Sequence, residues 1–168
     1  MNESNQTPNP PTPDPAPADK SHGVLYVGVD LGTSRTSVCA SNGVRQTLAS
    51  YVGYPKDVVS RKALGKDILF GQEAMDNRLS LRFFRPLEKG ELKGTDQEDS
   101  PEAKENLQAA RDLIHHAIEL CAPRKDELIY AVIGVPAQAS IHNKNAIIEA
   151  AKDIVDSVML CSEPFAVA

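Results

Sequence analysis

The sequence predicts an α/β fold: a mixed sheet in the order β-β-β-α-β-α-β, flanked by helices, with a small inserted subdomain. Three observations carry this. Val24 to Val29 and the later "LIYAVIGVP" are continuous apolar runs of strand length, suited to a sheet interior. The first run leads at once into two further strand-like stretches joined by turn residues, which makes an antiparallel meander. The second lies between two amphipathic helices, and strands joined by helical crossovers pair in parallel.

The 168 residues suffice for one domain with a real core. The apolar fraction of 41% and the charged fraction of 24% are those of soluble globular chains. A net charge of −5 without a long basic run argues against nucleic acid as a partner. No apolar run has the length of a membrane span, and "MNESNQTPNPPTPDPAPADK" lacks the basic-then-apolar order of a secretory signal. These features predict a cytoplasmic protein. Cys39, Cys121 and Cys161 lie far apart without a CxxC pair, so they read as buried free thiols rather than a zinc or disulfide framework.

Residues 1–22 are proline-rich and nearly without large apolar side chains, a composition that predicts a disordered, polyproline-II-leaning tail. A PxxP-type ligand is the functional alternative to a solvated tail. Order is expected from Gly23. After Val24 to Val29, "TSVCAS" is a second strand, Asn42-Gly43 signals a type I′ hairpin turn, and "VRQTLASYV" alternates as a third strand.

Residues 51–97 are mixed and read as the inserted subdomain: "GYPKDVV", a hairpin-like "ALGKDILFG", a helix-like "QEAMDNRLS", then "RFFRPLEKGELKG". Ser100 and Pro101 are helix-start chemistry. The helix that follows carries Leu107, Ala110, Ile114, Ala117, Ile118 and Cys121 on one face, with His115 and His116 off that stripe as surface histidines. Ser140 caps the next helix, whose stripe is Ile147, Ala151, Ile154, Val155 and Val158. "VMLC" is a last strand, and "SEPFAVA" opens a further helix. The core is therefore expected at 23–50 and 98–168.

Chemistry is first suggested by "VLYVGVDLGTSRTSVCAS". Gly32 lets backbone approach a ligand, successive turn amides can form an anion-binding concavity, and Thr33 and Ser34 add small hydroxyl donors. Asp30 suits a hydrated Mg²⁺ standing between carboxylate and phosphate. The stretch is neither a Walker A loop nor GxGxxG, and read alone it also fits a structural hairpin with an acidic corner. Glu163 in "CSEPF" falls at a strand-to-helix corner, near the sheet edge where ligands of open α/β sheets gather. It could orient a water for phosphoryl transfer or simply cap the helix.

Together, "GVDLGTSRTSV" and "AVIGVPAQASIHNKNAIIEAAKDIVDSVMLCSEPFAVA" resemble the first half of the actin/Hsp70/sugar-kinase superfamily. Arg85-Pro86-Leu87 with Gly90 resembles a segment of the bacterial actins related to MreB. "VGYPKDVVSRKALGK" and "AVIGVPAQAS" are similar to their magnetosome branch.

The resemblance implies a ribonuclease-H-like, actin-type first lobe that takes ATP and Mg²⁺. Asp30 would hold the hydrated metal, Gly32, Thr33 and Ser34 would meet the β- and γ-phosphates, Arg35 would add a contact, and Glu163 would position the hydrolytic water. It also implies self-association into filaments in a full-length form, along a magnetosome chain in that branch. The second phosphate loop and adenosine pocket of such proteins are absent, so a fragment with negligible catalysis is expected. Two alternatives remain: part of a non-polymerising Hsp70-like or sugar-kinase-like ATPase, or a partner that caps filaments of an intact homologue.

Overall fold

A computed structural model describes residues 23–93 and 100–162. The chain begins with strands β1 (Val24–Leu31), β2 (Arg35–Ala40), β3 (Arg45–Ala49) and β4 (Val52–Pro55). Helix α1 (Val58–Leu64), β5 (Leu69–Phe70), α2 (Gly71–Asp76) and β6 (Leu81–Phe84) follow, then the short pair β7 (Leu87–Glu88) and β8 (Glu91–Leu92). The remainder is α3 (Pro101–Glu119), β9 (Leu128–Val135), α4 (Ile141–Ala151) and β10 (Ser157–Ser162).

The main sheet has the order β10-β9-β1-β2-β3. β1 is its central strand, antiparallel to β2 and parallel to β9, and β10 extends the parallel half. This is the expected mixed sheet. A second sheet, β5-β4-β6, and the β7–β8 hairpin form the smaller part of the fold.

Side chains alternate across the sheet. Leu25, Val27, Val29 and Leu31 of β1 join Ile129, Ile133 and Val135 of β9 beneath α3 and α4, which contribute Leu113, Ile114, Ile118 and Ile147 to the same core. The opposite face carries Tyr26, Tyr130, Val132 and Met159, all exposed, with Met159 at 67%. The two apolar runs, β1 and β9, lie in the sheet interior as expected, and among the described residues only one face of the sheet is covered.

Both long helices start where their caps place them. Ser100 Oγ accepts from Ala103 N–H at 3.0 Å with Pro101 in the first turn, and Ser140 Oγ accepts from Asn143 N–H at 3.1 Å. α4 stops at Ala151, so Val158 belongs to β10 rather than to the helical stripe.

Several local expectations are corrected. At Asn42-Gly43 only Gly43 has positive φ, at 91°, and Gly43 N–H bonds Ala40 C=O while Ala40 N–H bonds Val44 C=O. That is a type I turn closed by a glycine bulge, not type I′. The turn with two positive-φ residues is Lys89 (52°) and Gly90 (80°), joining β7 to β8. "VRQTLASYV" breaks at Ser50 and continues as β4 in the second sheet.

"ALGKDILFG" is no hairpin. Its first two residues end α1, Gly65 closes that helix at φ 66°, and Leu69–Phe70 pairs with β4. Asp57, whose side chain accepts from Ser60 N–H at 2.7 Å, starts α1. The histidines are half-buried: His116 stacks on Phe70 with ring centroids 4.0 Å apart, and His115 Nε2 lies 3.1 Å from Ala150 C=O. Cys121 is buried, but Cys39 is exposed and Cys161 half-buried. The tail 1–22 and the helix expected after Ser162 lie outside the described residues.

Candidate functional site

The site expected from sequence is the β1–β2 turn. Asp30 is exposed near the end of β1, opposite Ser37 of β2 and beside Gly134 of β9. A Cβ built on Gly134 would stand 4.0 Å from Asp30 Oδ1, so glycine keeps that flank of the carboxylate open. At Gly32 a Cβ would lie 2.4 Å from the Arg35 carbonyl oxygen. The chain folds back on itself there too tightly for any side chain.

All three carbonyls of the Gly32–Ser34 turn are occupied. Ser50 Oγ donates to Gly32 C=O at 2.6 Å, Arg85 Nε–H donates to Thr33 C=O at 3.4 Å, and Ser50 N–H donates to Ser34 C=O at 3.0 Å. The amides of Thr33 and Ser34 have no partner among the described residues. A turn whose acceptors are engaged and whose donors are unengaged presents net positive polarity, as an anion site requires.

Thr33 extends the pattern. Its Oγ1 accepts from Gly90 N–H at 2.7 Å, which leaves its own proton to donate. The Lys89-Gly90 turn brings that amide into place.

Behind the turn, Ser50 and Thr36 are both fully buried, with their hydroxyls 2.9 Å apart. Ser50 spends its only side-chain proton on Gly32, so Thr36 is the donor between them. Sequence reasoning missed Thr36, Ser50 and the contacts of Arg85 and Gly90 with Thr33. A small hydroxyl residue interrupting the alternation of "TLASYV" was the available signal for Ser50.

Other expected residues do not converge on this turn. Arg35 lines a separate cleft with Phe70, Gln72 and His116. Asp30 also borders the larger cleft along the bare sheet face, which Gly32, Thr33 and Ser34 do not line. We take the turn as the site because its hydrogen bonding is directional, whereas the larger cleft is an uncovered, mainly apolar surface. Glu163 lies outside the described residues.

For Mg²⁺, the described residues contain no cluster of three or more His, Cys, Asp or Glu that could enclose an ion. The lone exposed Asp30 fits an outer-sphere ligand of a hydrated ion, which needs one or two carboxylates and keeps its waters. Burial, more than a minor charge effect from Cys39, pushes the Cys121 thiol up, so it is no thiolate ligand at neutral pH.

No protein-family model matches the chain. It is 40% identical over 143 residues to the actin-like protein MamK of Paramagnetospirillum magneticum, covering 85% of this chain and 39% of that protein. The MamK of Magnetospirillum gryphiswaldense gives 40% identity, with 85% and 38% covered. The chain thus spans well under half the length of these curated relatives.

Among solved structures, a MamK double helical filament superposes with a TM-score of 0.77 at 41% identity, covering 86% of this chain and 42% of that one. A non-polymerising MamK mutant bound to AMPPNP gives 0.76 at 39% identity, with 88% and 43% covered. MreB5 of Spiroplasma citri bound to ADP gives 0.61 at 18% identity, covering 86% and 39%, a likeness of fold alone. Over the part it spans, the chain is a bacterial actin-like protein similar to MamK, built as an actin-type α/β first lobe.

Proposed function

We propose that this chain is the first, phosphate-binding portion of an ATP-binding, filament-forming bacterial actin-like cytoskeletal protein of the magnetosome-organising type, working in the cytoplasm. The observation that carries the phosphate reading is the Gly32–Ser34 turn, with every carbonyl engaged and the Thr33 and Ser34 amides unengaged. The Thr33 and Ser34 amides meet the β- and γ-phosphates, and the Thr33 hydroxyl donates to one of their oxygens. Asp30 holds the waters of a hydrated Mg²⁺, which supplies charge neutralisation when bound. Glu163 orients the attacking water. Residues 23–50 and 98–168 form the core of the lobe, and 51–97 form the inserted subdomain that contributes filament contacts.

The filament reading rests on similarity to MamK, whose structures include a double helical filament. Self-association belongs to the full-length form, with an intact homologue as the alternative partner. One lobe surrounds the phosphates from one side only, and phosphoryl transfer needs positioning and charge stabilisation from several. The 168-residue chain therefore binds ATP weakly and hydrolyses it negligibly.

Amide NMR with MgATP is the test. Thr33 and Ser34 signals should move without saturating at micromolar ligand, and the Mg²⁺ dependence should vanish in Asp30→Ala. Unmoved turn amides would overturn the phosphate reading. Micromolar saturation with Mg²⁺-dependent turnover, abolished by Asp30→Ala, would overturn the claim of incompetence.

A further inference from the structure

The arginine in contact with the turn is not the one beside it in sequence. Arg35 lines the cleft shared with Phe70 and His116, whereas Arg85, more than fifty positions along the chain, bonds the Thr33 carbonyl. We propose that Arg85 is an anion-binding residue of the phosphate site, and that it favours a triphosphate over a diphosphate. The inference rests on the phosphate reading of the Gly32–Ser34 turn given above.

Three observations support it. First, Arg85 is exposed, and only its Nε is engaged among the described residues, so the terminal donors of the fork have no partner there. Second, no carboxylate forms an ion pair with it among those residues, although Arg61, Arg82, Arg111 and Arg124 each have one. Glu88 and Glu91 occupy the adjoining hairpin, yet among the described residues neither forms an ion pair with Arg85 or Lys89.

Third, the guanidinium is tethered. Its Nε–H bond to Thr33, together with the Gly90 amide on Thr33 Oγ1, holds the Arg85–Gly90 segment against the turn. A planar fork anchored through one nitrogen loses less freedom on meeting an anion than a free lysine would.

A guanidinium without an ion pair, bonded to the turn that carries the unengaged amides, responds to ligand charge. A longer polyphosphate carries more charge and more oxygens, so its affinity should depend more strongly on Arg85 than that of a shorter one. The Thr33 carbonyl bond serves as the hinge of this arrangement.

Amide NMR titrations of the 168-residue chain with sodium tripolyphosphate and with sodium pyrophosphate test it. In Arg85→Gln the tripolyphosphate affinity should fall about five- to tenfold and the pyrophosphate affinity about twofold, as expected for losing one exposed charge-assisted contact. Arg85→Lys keeps the charge without the fork and should fall between. It also serves as the test should the glutamine variant lose its dispersed spectrum. If the Thr33 and Ser34 amides still shift but the ratio of the two affinities is unchanged in both variants, the role of Arg85 is refuted and the turn reading stands. If neither anion shifts those amides in the unmodified chain, both fall.

Discussion

Ser50→Ala is the sharpest probe of how the turn is held. The variant removes one oxygen from a fully buried position and touches neither the turn sequence nor the segment bonded to Thr33. Two hydrogen bonds disappear: the 2.6 Å donation to Gly32 C=O, and the 2.9 Å bond from Thr36. The Thr36 hydroxyl is itself fully buried, so its proton is left unpaired without access to water. One ordinary bond contributes about 1 kcal/mol net and an orphaned buried donor adds about 1 kcal/mol or more, so the expected loss is about 2 kcal/mol.

Urea denaturation followed by circular dichroism would register that as a midpoint lower by about 1 M. Thr36→Val should cost less, about 1 kcal/mol, because it removes the donor and leaves the Ser50–Gly32 bond intact. The double variant leaves no orphan between the pair and should cost about 1 kcal/mol less than the sum of the singles. A Ser50→Ala midpoint within error of the parent, or strict additivity in the cycle, would refute the buried relay from Thr36 through Ser50 to Gly32.

Two further outcomes are expected. Burial chiefly, with help from Lys66 and against the pull of Glu119, holds the His116 ring below its ordinary pKa of 6.5. The fold therefore favours the neutral ring, and its contribution is present above that value and lost as pH falls through the lowered one. Urea midpoints should drop from pH 8 to pH 5 by less in His116→Phe, which keeps an aromatic ring against Phe70, and an equal drop would argue against the assignment. Ala122 sits just past α3 at φ 51°, where glycine is at ease. Ala122→Gly should stabilise the chain by about 0.5 kcal/mol in the same assay, and a loss would show that the Ala122 methyl contributes packing that outweighs the strain.

Much of the sheet was legible because its signals are local. Apolar runs marked β1 and β9, and Ser100 and Ser140 announced the two long helices. The errors cluster where tertiary contacts override pattern. Asn42-Gly43 could close a hairpin in more than one way, and the choice falls to a type I turn whose Asn42 Nδ2 is free to bond Cys121 C=O at 2.8 Å. α1 went unseen because it buries none of its residues and so lacks an amphipathic stripe. His116 looked superficial on its own helix because the ring that covers it belongs to β5. At the site, glycine and the hydroxyl residues were readable in the turn itself. Its supports, Ser50 and Arg85, come from elsewhere in the chain, and no local pattern ties either of them to the turn.

The central position of β1 also has a kinetic side. Val24 faces Leu128 across a parallel ladder, so the middle of the sheet joins segments roughly a hundred residues apart. During synthesis the β1–β2–β3 hairpins and the whole β4–β6 sheet leave the ribosome well before β9 exists. The turn can therefore form with Ser50 and Arg85 already in reach while one edge of β1 waits unpaired. Loop closure across that span is the step that should limit the folding rate, and the nascent chain is most open to mispairing along β1 until it occurs.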